Sequence, residues 1–270
     1  RHGVYDFLER YVNVLWLMPG EAWEHVPQVS NLYVPKEEIR EEPEFTYRSF
    51  NMGAAGDQQR LERNVWQERN RMQSRASRQL EMSHNLYNLF PPEKYGETNP
   101  EFYPNGQPPE PGDRHGWQPC FSVEETVDVA ITEIVNYFTE KPDQNSFSLS
   151  ANDGGRRYCE ENPDHPHYPD KINSVGVVHM SDLYFDWVNK VVEGVLEVYP
   201  DKWFGVYAYQ NTMDPPSFAV HPHVIIVITK DRMTWIDDDV RARGQQHLAA
   251  WNEVANQVGW YDYAYGVYYN

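Results

Sequence analysis

The 270-residue chain is long enough for one large α/β domain or two modest ones, and 40% hydrophobic residues give it a core to bury. A formal charge of -18 argues against nucleic acid as a partner, because neutralising phosphates takes Lys and Arg in clustered excess. No apolar run approaches the length of a membrane span and no signal peptide is visible.

The chain starts at Arg1 within a helical pattern and without an initiator Met, which reads as a piece of a longer polypeptide. Residues 3–15 place Val4, Leu8, Tyr11, Val12 and Leu15 on one helical face that has no partner in its own neighbourhood. The proline-punctuated stretch that follows reads as the end of a preceding small α/β domain and a connector, with a boundary near Pro43. Residues 1–43 are thus assigned to that domain and residues 44–270 to a second one.

From Phe45 short strands alternate with amphipathic helices. Residues 46–52 suit a first strand, and residues 58–75 a helix whose Arg60, Arg63, Arg69, Arg71 and Arg75 make a solvated or acid-paired face. Residues 79–86 suit a second strand with His84 near its end. Residues 91–119 form a loop dense in Pro and Gly, and loops of that length are usually functional lids or disordered. Residues 118–121 suit a brief third strand. Ser122 and Glu125 make a capping box for a helix with Val127, Ile131, Ile134 and Phe138 on one face.

A fourth strand over residues 146–150 runs into Asn152, Asp153, Gly154 and Gly155, an acid delivered onto a glycine turn. After a second long insertion, residues 160–179, a helix capped by Ser181 buries Val188, Val191, Val192 and Val195 and stops before Pro200. Residues 203–209 and 224–229 are the fifth and sixth strands, the latter a continuous apolar run suited to a sheet covered on both faces. A helix over residues 245–258, stopped by Gly259, and a strand over residues 260–265 complete the series. The alternation implies a parallel sheet with right-handed crossovers, and its length approaches that of an eight-stranded (β/α)8 TIM-type barrel of about 250 residues lacking one strand.

In such a barrel the carboxyl ends of the strands share one face. His84, Asn152, Asp153, Tyr209, Gln210, Asp231 and Asp262 then gather around one bowl, with Tyr207, Trp235, Trp260, Tyr261 and Tyr263. The chain carries nine Trp and nineteen Tyr, and aromatic faces beside carboxylates and amides suit a sugar, whose C–H faces stack while its hydroxyls need hydrogen bonds.

The blocks HNLYNLFPPEKYGETNPEFYPNGQ, QPCFSVEETVD, SLSANDGGRRYCE, FGVYAYQNTMDPP and WYDYAYG resemble the bacterial domain-of-unknown-function family numbered 4838. The opening GVYDFLERYVNVLWLMPGE is similar to the junction between a small α/β domain and a barrel in that family. The arrangement is distantly similar to α-glucuronidases and β-hexosaminidases. The resemblance implies a glycoside hydrolase acting on a polysaccharide or oligosaccharide, possessing uronic-acid or amino-sugar units as candidates, in the extracellular space or periplasm and without a cofactor.

Glycosidic hydrolysis usually takes two carboxyl groups. By analogy with barrel glycosidases, Asp153 is expected as general acid or as the partner that orients it, and Asp262 as nucleophile or base. Glu160 and Glu161 compete as the acid. His84 is expected to contact a substrate hydroxyl or carboxylate, with Tyr209 and Gln210 positioning the ring. Two readings compete: a non-catalytic carbohydrate-binding barrel, whose carboxylates would all be ionised and paired with Arg, and a polysaccharide lyase using His84 and Tyr209 beside a uronate-neutralising Arg. The two cysteines, Cys120 and Cys159, make no disulfide scaffold and fit no zinc spacing, so they leave the redox compartment open. Family members often carry further cysteines after the Asp-Gly-Gly block, and a substituted metal site from Cys159, His165 and His167 is one alternative here. The oligomeric state stays open.

Overall fold

The computed structural model describes residues 2–41, 45, 48–50, 56–72, 80–154 and 157–263. The chain divides into two compact units, residues 1–79 and 80–270. In the first, α1 (His2–Val12) is followed by β1 (Leu15–Trp16) and β2 (Glu24–His25), which pair antiparallel, and then by α2 (Asp57–Arg69). Val14, Trp16 and Trp66 form a small core against which Tyr5, Leu8 and Val12 pack. The Trp66 indole N–H donates to the Trp16 carbonyl at 3.0 Å, so the partner that α1 lacks nearby arrives with α2. The arginine face of α2 is partly acid-paired, through Arg69 with Glu24 and, just beyond the helix, Arg71 with Glu9 at 2.5 Å. The strand expected over residues 46–52 lies largely outside the described residues, and Arg48–Phe50 carry no regular structure.

The second unit is built on one open parallel sheet. Two one-turn helices, α3 (Leu86–Leu89) and α4 (Pro92–Tyr95), precede α5 (Glu125–Glu140). Then come β3 (Ser146–Ser148), α6 (Ser181–Leu196), β4 (Trp203–Ala208), β5 (Val224–Thr229), α7 (Asp238–Val254) and β6 (Gln257–Tyr261). The strands lie in sequential order β3-β4-β5-β6 and all pair parallel. This is the α/β alternation expected, but the sheet has four strands among the described residues and closes into no barrel.

Strand periodicity sorts the two faces of this sheet. Phe204, Val206 and Ala208 register with Val224, Ile226 and Ile228, all fully buried in the main core. Val188, Val191, Val192 and Val195 of α6 are also fully buried in it, as their helical spacing predicts. On α5 the expected Ile134 and Phe138 are fully buried, joined by Thr126 and Ala130, while the expected Val127 and Ile131 pack at the margin of the core. Gly194 lets α6 approach α5 closely, since a Cβ there would sit 2.3 Å from Ile131 Cδ1.

Where strands two and three were expected, no strand forms among the described residues, and side chains supply many of the ties to β3 and the turn after it. The Glu81 N–H donates to Ser146 Oγ at 2.7 Å and the Ser83 N–H to Ser148 Oγ at 3.1 Å. Likewise Gln118 exchanges hydrogen bonds with the Asn152 backbone at 2.8 and 2.9 Å. The Ser146 and Ser148 hydroxyls thus take up backbone groups of residues 80–85, and among the described strands β3 pairs with β4 alone. Residues 80–85 cross the face opposite the helices, where the Tyr207 hydroxyl donates to the Met82 carbonyl at 3.3 Å. Gly205 makes this crossing possible: an added Cβ would lie 2.0 Å from Met82 Sδ and 2.6 Å from the Glu81 carbonyl oxygen. Gly205→Ala is expected to lower the unit's stability by about 1–3 kcal/mol, the usual cost of overpacking. Unchanged thermal unfolding would show that residues 80–85 are not seated on the sheet.

Three local expectations are corrected. Ser122 forms no capping box; its N–H donates to Glu160 at 2.7 Å, and α5 begins without a side-chain cap. Ser181 is the first residue of α6 rather than its cap, and its hydroxyl donates to the Asp214 carbonyl. Gly259 does not end α7. That helix starts at Asp238, capped by the Asp237 carboxylate on the Val240 N–H at 2.9 Å, and Gly259 lies within β6 opposite Val227.

Cys120 and Cys159 form a disulfide with Cα atoms 5.2 Å apart. It joins the segment leading into α5 to the loop after β3, beside the aromatic group Phe121, Tyr158 and Trp187. The pairing removes Cys159 from any metal site with His165 and His167, and no metal-binding cluster occurs among the described residues.

Candidate functional site

At the carboxyl edge of the parallel sheet lies a cleft of about 850 Å3. The turn after β3 contributes Asp153, β4 and its following turn contribute Tyr207, Tyr209 and Gln210, β5 contributes Thr229, and β6 with its extension contributes Tyr261 and Tyr263. Residues 80–85 bring His84, α3 brings Tyr87, and the long proline-rich loop brings Arg114 and His115. This is the edge at which open parallel sheets bind ligands, because loops converge there.

Asp153 is the electrostatic centre. Its Oδ1 accepts from the Gly154 N–H at 2.7 Å and from the Tyr209 hydroxyl at 3.1 Å, and lies 3.9 Å from His84 Nε2. Burial by itself would raise its pKa; the Gly154 N–H, His84, the Tyr209 hydroxyl and His115 outweigh this and hold it below the ordinary carboxylate value. The group is therefore an anion at neutral pH. His84 Nδ1 is 2.6 Å from the Ala151 carbonyl, which can only accept, so Nδ1 carries hydrogen and Nε2 faces Asp153. The His84 ring sits between Tyr207 and Tyr209, with centroids 5.3 and 5.2 Å away.

Asn152 is fully buried and does not line the cleft. Its Oδ1 accepts from the Tyr87 N–H at 2.7 Å and its Nδ2 donates to the Trp117 carbonyl at 3.0 Å. It thereby fixes two walls of the cleft, while the Gly116 N–H donates to the Asp153 carbonyl at 2.7 Å. Gly154, at φ 95°, packs against this segment so tightly that a Cβ would lie 2.9 Å from Gly116 N.

The other expected site residues lie off the lining. Glu160 is fully buried, its Oε1 taken by the Ser122 N–H. Asp262 follows directly on Tyr261, but its carboxylate is bonded to Arg232, accepting from the backbone N–H and from Nε at 2.7 Å each. Asp231 accepts from the Met233 N–H at 2.9 Å and caps the turn Arg232–Ile236. Trp235 and Trp260 pack edge to face at 5.4 Å, and the Trp260 indole N–H donates to the Lys230 carbonyl. Of the residues expected in the bowl, His84, Asp153, Tyr207, Tyr209, Gln210, Tyr261 and Tyr263 share the cleft. Arg114 and His115 were not anticipated by residue, although the length of their loop pointed to a functional segment.

One wall is clamped by Asp214. It accepts from the Ser174 N–H at 2.7 Å and from the Ser174 hydroxyl, and pairs with His247 of α7 at 3.3 Å. Burial opposes ionisation, but His247 and Ser174 overcome it and depress the pKa well below the ordinary range. A carboxylate with a depressed folded-state pKa stabilises above its unfolded value of about 3.9, and this contribution is lost as pH falls through the folded value. Asp214→Asn is expected to cost about 1–3 kcal/mol at neutral pH and less at about pH 3, read from denaturant unfolding at both. An equal cost at the two pH values would contradict the charged clamp.

No helix among the described residues is long and apolar enough to cross a membrane. No curated protein and no solved structure matches the chain. The model of a domain of unknown function, DUF4838, matches residues 18–269. With nearly its whole length covered by that model, the chain belongs to the DUF4838 family.

Proposed function

We propose that the second unit is a glycoside hydrolase whose cleft binds a polysaccharide or oligosaccharide chain around Asp153. The carrying observation is a hydrogen-bonded, ionised carboxylate in a sugar-sized hollow walled by Tyr87, Tyr207, Tyr209, Tyr261 and Tyr263. Tyrosine faces stack on sugar C–H groups while their hydroxyls, with Gln210 and His84, serve sugar hydroxyls. The depressed pKa suits Asp153 to the anionic role, as nucleophile or as stabiliser of positive charge developing at the anomeric carbon, rather than to proton donation. The Tyr209 hydroxyl, 3.1 Å from it, and His84 Nε2, at 3.9 Å, are the neighbouring groups suited to proton transfer. The Cys120–Cys159 disulfide supports an oxidising, extracytoplasmic setting.

A second reading is glycan binding without cleavage. Its support is that Asp153 is the only carboxylate on the lining among the described residues, while Asp262 is paired with Arg232. Screening the full chain against aryl glycosides and uronic-acid polysaccharides separates the two. New reducing ends without the ultraviolet absorbance of an unsaturated uronate support hydrolysis, saturable binding without products supports the second reading, and the absence of both cleavage and binding removes the carbohydrate proposal.

A further inference from the structure

We infer that the cleft selects sugars bearing an anionic substituent, a carboxylate or a sulfate ester, and that Arg114 is the group that recognises it; this rests on the glycan reading above. The chain as a whole carries a formal charge of -18 with histidine neutral, yet the cleft lining sets one cation, Arg114, against one carboxylate, Asp153, and so lacks that acidic excess. Against the one carboxylate of Asp153 the lining sets Arg114, His84 and His115.

Among the described residues the Arg114 guanidinium makes no ion pair. It lies over the Tyr87 ring, 5.2 Å from the centroid. A cation–π contact uses the charge of a guanidinium without consuming its N–H donors, and a guanidinium can offer two of them to two oxygens of one anion. Both partners are held in place. The Tyr87 N–H donates to the buried Asn152 side chain at 2.7 Å. On either side of Arg114, the His115 N–H donates to Asp113 Oδ1 at 3.2 Å and the Trp117 indole to the Asp113 carbonyl at 3.0 Å. The loop is tied further by the parallel bridge of His115 to Asp153. The cation therefore stands on a braced ring at the mouth of the site, a position that discriminates among substrates without taking part in bond cleavage.

The test is an NMR titration of the full chain with three ligands: methyl glucoside, methyl glucuronide and the 6-sulfate of methyl glucoside. At least one anionic sugar is expected to bind roughly tenfold more tightly than the neutral one, the scale of one charge-assisted contact in a partly exposed site. That preference is expected to fall as salt rises and to vanish in Arg114→Gln, with neutral-sugar binding retained. Which anionic sugar gains identifies the substituent. Equal binding of all three, unaffected by Arg114→Gln, overturns the inference and leaves the glycan reading standing. Absence of binding by all three, and by the uronic-acid polysaccharides of the screen above, overturns both. Because Arg114 is exposed, a circular dichroism melt of the variant is expected to match the parent protein.

Discussion

Asp153→Asn is expected to lower the proposed glycosidase activity about a thousandfold while leaving the fold in place, the upper end of the loss seen when one preorganised electrostatic group is removed. The amide is nearly isosteric and can still accept from the Gly154 N–H and the Tyr209 hydroxyl, so the surrounding contacts survive the change. What disappears is the negative charge, and a role in the transition state is read as a fall in kcat with little change in KM. The pH profile carries a second signature. Since the Asp153 carboxyl is held below its ordinary value of 3.8, the acid limb of the activity is expected below that pH. A variant retaining full activity would place the chemistry on another group, and an acid limb well above that value would assign it to a group other than Asp153.

The largest expected loss of stability comes from opening the disulfide. Cys120 and Cys159 are separated by 39 residues, and closing a loop of that size restricts the unfolded chain by about 4 kcal/mol. The expected drop in melting temperature for a unit of this size is roughly 8–16 °C. Because two compact units need not unfold together, the informative readout is local. Hydrogen exchange at the buried amides of Val191 and Ile226 is expected to accelerate about a thousandfold in the Cys120→Ser/Cys159→Ser protein. Acceleration under tenfold would mean that the aromatic group around Phe121 holds the two segments together without the covalent tie.

Much of the second unit was legible because its core elements follow simple periods. The run Val224–Thr229 reads as a buried parallel strand, and the four valines of α6 read as one buried face. The turn at Asn152-Asp153 was legible as a turn after a strand, and the structure sets Asp153 on the lining of the cleft. Where the extra strands were expected, Ser146, Ser148 and Gln118 satisfy backbone groups through their side chains, and no periodicity in hydrophobicity marks such contacts.

The division of the aromatics was hidden by parity. Trp260 registers with Ile228, whose side chain faces the helices, whereas Tyr261 registers with Thr229 on the cleft side. One residue in a strand changes the face, and an assignment of strand ends within one or two residues does not fix it. Asp262 illustrates the same limit: its position at the end of β6 was legible, its pairing with Arg232 thirty residues earlier was not. Arg114 and His115 lie in a loop of irregular structure, so only packing against Tyr87 and Asp153 reveals where they stand.

A crystal structure of the full chain soaked with an oligosaccharide found by binding is the most direct measurement. A sugar ring stacked on the tyrosine wall, with its anomeric carbon over Asp153 Oδ2 and a hydroxyl near His84 Nε2, is the predicted result. A glycan bound elsewhere, with the cleft between Tyr87 and Tyr209 holding only water, would contradict the account.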